Sequence, residues 1–126
     1  MQSNSTMSKS VFNIERVSDS GNTFEYKAKV VEGHLVFNGH FPEAPVVPGV
    51  CTMNMIKDCI EDALSRSVRY NYVKECKFLS AIIPSEHKVL NINLVLGQES
   101  SSEFNVTAEV MASGVKMMKL KATFIE

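Results

Sequence analysis

Thr23 to Val31 alternates strictly, with Phe24, Tyr26, Ala28 and Val30 on one face and Glu25, Lys27 and Lys29 on the other. A period of two with one apolar face predicts a half-buried strand. Ahead of it, Val11 to Val17 holds Phe12, Ile14 and Val17, a run too short to fix an element, and Ser18 to Asn22 predicts a turn around Gly21. From Val50 to Leu64 the period changes. Val50, Met53, Ile56, Ile60, Ala63 and Leu64 recur at helical spacing, with Pro48 and Gly49 at the start, where a proline's missing N–H costs nothing. The helix is apolar over much of its circumference, which predicts that it is largely buried. Four strand-like runs follow. Tyr72 to Ile83 places Cys76, Phe78, Ser80 and Ile82 on one face. Lys88 to Leu96 aligns Leu90, Ile92, Leu94 and Leu96, and Glu103 to Ala112 aligns Phe104, Val106, Ala108 and Val110. After a tight turn at Ser113-Gly114, Met118, Leu120, Ala122 and Phe124 line the last strand. Two strands, one helix and four strands predict an α+β domain, with an antiparallel sheet covered on one face by the helix.

Composition narrows this picture. The chain has 126 residues, enough for one domain, which the pattern places at 11–126 behind a Ser/Asn-rich segment, 1–10, expected to be disordered. With 44% hydrophobic residues against 21% charged, it can build a core without staples. A net charge of −1 argues against a general nucleic-acid binder. No apolar run approaches the roughly 20 residues needed to span a bilayer, so no membrane partner is expected. Three cysteines without paired spacing suit a reducing compartment, and the polar N-terminal stretch is unlike a secretory signal, so a cytoplasmic location is expected. Cys51, Cys59 and Cys76 with the scattered histidines form no zinc pattern, and neither a metal nor a cofactor is expected.

The chemistry concentrates in Asn38 to Val50, NGHFPEAPVVPGV. Gly39 and Pro42 bracket His40 in a constrained loop, and Pro45 and Pro48 hold the connection extended. Gly49 opens the helix, where free N–H groups and a partial positive charge suit a carbonyl oxygen acquiring negative charge. A base at His40, an apolar approach at Phe41 and Val50 and an amide donor at Gly49 are the parts needed to take a proton from the carbon beside a thioester carbonyl.

These residues carry a resemblance. Gly39-His40-Phe41-Pro42, Pro45-Val46 and Pro48-Gly49-Val50 resemble the signature of the FabA/FabZ-type 3-hydroxyacyl-acyl carrier protein dehydratases, and Lys77-Phe78-Leu79 through Pro84 is similar to the family's strand after the helix. The resemblance implies the hotdog fold, a curled antiparallel sheet wrapped around one long central α-helix. It implies an acyl thioester substrate on acyl carrier protein or coenzyme A, in fatty-acid or related acyl-chain biosynthesis. It further implies His40 as the base that abstracts the C2 proton, the Gly49 N–H as the carbonyl donor, and active sites at a dimer interface. A homodimer or dimer-based oligomer is also expected because an isolated protomer leaves its sheet edge unpaired.

In the family the acid stands fourteen positions after the histidine, and here that position is Asn54. Asparagine donates and accepts hydrogen bonds but delivers no proton at neutral pH. Asp58 lies one helical turn further, about 6 Å along the axis, and is the candidate to act through a water. Alternatives follow from this departure: a hotdog acyl thioesterase in which Asn54 or Asp58 positions water, or a non-catalytic acyl- or carrier-binding subunit paired with an active homologue. His34 reads as structural or surface, and His87 as a solvated turn residue. Glu61 and Asp62 read as a solvated helix end. Arg66, Arg69, Lys74 and Lys77 read equally as ordinary surface charge or as a docking patch for an acidic carrier.

Overall fold

The structure is a computed structural model that describes residues 11–31 and 46–126. His34, His40, Phe41 and the segment 1–10 lie outside the described residues. The elements run β1 (Phe12–Ser20), β2 (Thr23–Val30), α1 (Gly49–Leu64), β3 (Arg69–Phe78), β4 (Val89–Gln98), β5 (Glu103–Ala112) and β6 (Val115–Ile125). All strand pairs are antiparallel, in the order β1-β2-β4-β5-β6-β3, so β1 and β3 are the edges.

The alternation read from β2, β4, β5 and β6 is the alternation of burial. Tyr26, Ala28, Val30, Leu90, Ile92, Leu94, Phe104, Val106, Val110, Leu120 and Phe124 all point inward. They form one core with the helix stripe Cys51, Thr52, Met55, Ile56, Cys59 and Ile60. The helix backbone approaches the two edge strands more closely than the central ones, so the sheet curls around it. One long helix held in a curled six-stranded antiparallel sheet is the hotdog architecture.

Three elements differ from the pattern. β1 runs through the expected turn to Ser20, because a bulge between Arg16 and Ser18 throws Val17 out of register and leaves it half exposed. That bulge is why the apolar spacing of Phe12, Ile14 and Val17 obeys no period. β3 begins earlier, at Arg69, and ends at Phe78; the Leu79 and Ser80 amides then donate to the Met117 carbonyl at 2.8 and 3.3 Å. Ser80 and Ile82 therefore belong to the segment after the strand. The helix buries one stripe rather than most of its surface: Val50 is exposed, and Met53, Ala63 and Leu64 are only partly covered.

Both tight connections have local causes. Ser113 and Gly114 have φ of 51° and 81°, the pair of positive values that a two-residue hairpin between right-twisted strands requires. Ser65, at φ 56°, ends α1 in the left-handed conformation and donates its N–H to the Glu61 carbonyl.

Candidate functional site

Pro48 caps α1 in an extended conformation, with no side-chain cap bond. Its carbonyl accepts from the Cys51 and Thr52 amides at 3.0 and 3.4 Å. The amides of Gly49 and Val50 precede that first bond and have no acceptor within the helix, which is the arrangement that receives an anionic oxygen. The approach to the helix is anchored by Val47, whose N–H donates to the Ile82 carbonyl at 2.8 Å with both side chains buried. The segment after β3 thus fixes where α1 starts.

Gly49 has a physical reason to be glycine. A Cβ built there would lie 2.8 Å from Phe78 Cζ and 3.2 and 3.4 Å from the two Cε atoms. The Phe78 ring occupies the space a side chain would need. Val50, the next residue, is 61% exposed at the mouth of the helix.

Asn54 and Asp58 are half-buried and stand one turn apart on the same flank of α1, with Asp62 a further turn along. The Asp62 end of that flank faces β1, where Arg16 binds it. Gly49 and Asn54 differ by five residues, about 140° around the helix axis. Gly49 meets the Phe78 ring at the end of β3, on a different side of the helix from Asn54. His40 and Phe41 lie outside the described residues.

The acidic end of α1 is a built structure rather than a solvated helix end. Asp62 Oδ2 accepts from Tyr26 Oη at 2.6 Å and from Arg16 Nε and Nη2 at 3.1 and 2.9 Å. Arg16 Nη2 also donates to the Asp62 carbonyl at 2.7 Å, and Arg16 Nη1 to Asp19 at 3.2 Å. Burial of the Tyr26 ring, then its bond to Asp62, pushes the phenol pKa up, and the carboxylates raise that of Arg16. Glu61 Oε2 accepts the Val68 N–H at 2.9 Å and pairs with Lys57 at 3.3 Å, tying the helix end to the start of β3. The available signal was Arg16 itself, paired with Tyr26 across the ladder and sharing a face with Phe12 and Ile14. A charge on an inward face needs a buried or helix-borne partner.

The remaining polar candidates resolve simply. His87 Nδ1 accepts the Ile83 N–H at 2.9 Å and the His87 N–H donates to the Ile83 carbonyl at 2.7 Å, so this half-buried ring closes its turn instead of standing in solvent. Cys51, Cys59 and Cys76 are free thiols, and burial raises the pKa of each, which disfavours a nucleophilic thiolate. The basic residues after the helix do not form one patch. Arg66 pairs with Glu126 at 2.8 Å and lies over the Phe104 ring, while Lys77 pairs with Glu75 at 3.2 Å. Arg69 and Lys77 stand at opposite ends of β3, roughly 26 Å apart at strand rise. Among the described residues, no three His, Cys, Asp or Glu side chains are grouped to hold a metal ion, and no helix is long and apolar enough to cross a membrane.

Comparison with known proteins gives a consistent family. Residues 16–115 match the ApeI-like family, described as ApeI dehydratase. The 3-hydroxyacyl-(acyl-carrier-protein) dehydratase FabZ of Ehrlichia chaffeensis is 30% identical over 79 residues, 59% of this chain and 55% of that protein. The FabZ of Sulfurovum sp. is 23% identical over 128 residues, covering 90% of this chain and 86% of its own. The chain spans only 55–58% of the length of the first three curated dehydratases it matches. Among solved structures, the dehydratase heterocomplex ApeI:P from Xenorhabdus doucetiae superposes with a TM-score of 0.74 at 15% identity, covering 89% of this chain and 95% of that one.

Proposed function

The chain belongs to the ApeI-like dehydratase family, within the FabA/FabZ-type hotdog dehydratases, and from that premise we propose that it acts on 3-hydroxyacyl thioesters and eliminates water from them. The observation that carries this reading is the start of α1: Pro48 caps without a side chain, and Gly49 presents its amide beside an aromatic wall. A thioester carbonyl that accepts this N–H gains stabilisation as charge builds on its oxygen during loss of the C2 proton. His40 takes that proton, and the C3–O bond breaks as the C2=C3 double bond forms. The hydroxyl departs as water, oriented by Asn54 and protonated by Asp58 through a bridging water. The proton held by His40 returns to the carboxylate between turnovers.

The two halves of this chemistry come from two chains. Gly49 and Asn54 point to different sides of one helix, so the flank that serves a given Gly49 belongs to a second protomer. Edge strand β3 offers the surface: Tyr72 is 62% exposed, and Val73 is also open. Pairing of two β3 edges satisfies their free backbone groups and covers these side chains. The acyl group is carried on acyl carrier protein or coenzyme A.

Asn54 favours one further reading, a mixed dimer in which a homologous partner supplies the missing carboxylate. The related ApeI:P structure is itself a dehydratase heterocomplex. Both readings are tested by incubating the purified chain with 3-hydroxyacyl-pantetheine thioesters of several chain lengths. Enoyl thioester formed by the chain alone supports a self-sufficient dehydratase. Release of free thiol instead identifies a thioesterase, and binding without turnover identifies the mixed-dimer subunit.

A further inference from the structure

Phe78 is an inward-facing residue that the core does not cover. Across the β3–β6 ladder it stands opposite Met118, and Cys76 stands opposite Leu120; Met118 and Leu120 are fully buried, which puts Phe78 on the helix-facing side of the sheet. Yet 54% of its surface is open. Its covered part lies against the first residue of α1. Cζ lies 2.8 Å from the place a Gly49 Cβ would occupy and the two Cε atoms only 3.2 and 3.4 Å from it, so that place lies over one face of the ring at its Cζ end. The ring therefore packs the face of its tip on Gly49, and about half of its surface stays open beside the start of the helix.

We infer that Phe78 is a positioning residue for the thioester end of the substrate: its ring is the apolar wall that holds the acyl carbonyl against the Gly49 N–H, and position 49 is glycine so that this ring can reach it. The inference rests on the reading of Gly49 as the carbonyl donor. Because the wall sits at the carbonyl end, its contribution is the same for short and long acyl chains, unlike that of a residue deeper in an acyl channel. Phe78→Leu shortens the wall and leaves a gap over Gly49.

The test uses the purified full chain and the amide analogues of butyryl- and decanoyl-pantetheine, which keep the carbonyl and cannot be hydrolysed. Affinities are measured by calorimetry for wild type, Phe78→Leu, Gly49→Ala and Gly49→Ala/Phe78→Leu, with oligomeric state followed by sedimentation. Each single change is expected to weaken both analogues by about tenfold, the scale of losing half a buried aromatic contact, with sedimentation unchanged. The double variant is expected to be no weaker than either single one, since leucine leaves room for the alanine methyl. Equal affinities in wild type and Phe78→Leu, a loss confined to the decanoyl analogue, or additive losses in the double variant overturns the inference. Turnover of a 3-hydroxyacyl thioester is measured in parallel. Coupled binding losses in a chain that forms no enoyl product sustain the wall while removing the dehydratase reading. Turnover with no effect of Phe78→Leu does the reverse, and a wild-type chain that neither binds nor turns over overturns both.

Discussion

The hydroxyl of Tyr26, on β2, donates to Asp62, on the last turn of α1, at 2.6 Å, and Arg16 closes over the same carboxylate from β1. This joins the helix to the β1–β2 edge and fixes the rotation of the flank that carries Asn54 and Asp58. The ring of Tyr26 is 1% exposed, but the carboxylate it reaches is half open to water, so the bond is worth less than a fully buried one to a charged group. Tyr26→Phe is expected to lower unfolding stability by about 1 kcal/mol in urea titration. Arg16→Ala is expected to lower the melting midpoint as well, and that loss shrinks in high salt because the pair is exposed. Neither change moving the midpoint would remove the clamp from the account.

Stability is expected to fall in alkali in two stages. Burial raises the pKa of the Cys59 thiol from its ordinary 9.0, and raises those of the Tyr26 and Tyr70 phenols from 10.0. The unfolded chain therefore releases these protons first. The neutral groups contribute fully below pH 9, and stability declines as pH rises past 9 for the thiol and past 10 for the phenols. Tyr70 is partly buried against the core and donates to the Met53 carbonyl at 2.8 Å. Tyr70→Phe is expected to make the decline above pH 10 shallower by up to about 1.4 kcal/mol per pH unit, the value for one proton. Parallel slopes for variant and wild type would contradict this.

The β5–β6 turn offers a stabilising change. Ser113 holds a φ of 51°, where asparagine is more at ease, and Gly114 has open space around its missing Cβ at φ 81°. Ser113→Asn is expected to raise stability by about 0.5 kcal/mol and Gly114→Ala to lower it by about 1 kcal/mol, since the second cost is backbone conformation alone. Chemical denaturation of the two variants checks both signs.

Asn54→Glu restores a carboxylate at the position where the family carries its acid. A general acid contributes on the order of a hundredfold to such a step. Enoyl formation from a 3-hydroxyacyl thioester is expected to rise by about that factor, with the KM nearly unchanged, because the carbonyl site is separate. An unchanged or lower rate would show that Asp58 or a partner chain already supplies the proton, and would place Asn54 outside the proton path.

The central strands and the helix were legible because their burial is one-sided: Leu90, Ile92 and Leu94 alternate with polar neighbours, and Ile56 and Ile60 share a helical stripe. The edges were less so. β1 hides its length behind the Val17 bulge, and β3 carries Tyr72, Val73 and Phe78 outside the protomer core, so neither shows a clean period. At the candidate site, the opening Pro48-Gly49 pair was readable from residue chemistry, but the reason for the glycine was not. Phe78 is twenty-nine positions away in sequence and meets Gly49 only because β3 ends beside the helix start. The Arg16–Asp62–Tyr26 cluster was hidden for the same reason: three distant positions acquire one function through the curl of the sheet.

Loss of a C2 proton from a bound thioester is the step on which the account depends, and it can be read apart from loss of the hydroxyl. The decisive measurement is solvent deuterium exchange into C2 of a 3-hydroxybutyryl thioester, followed by NMR in heavy water with wild type and His40→Ala. Wild type is expected to catalyse the exchange, even where Asn54 makes water elimination slow, and His40→Ala to lose it with the fold intact. Absence of exchange in wild type together with its Asn54→Glu variant, or undiminished exchange in His40→Ala, would contradict this.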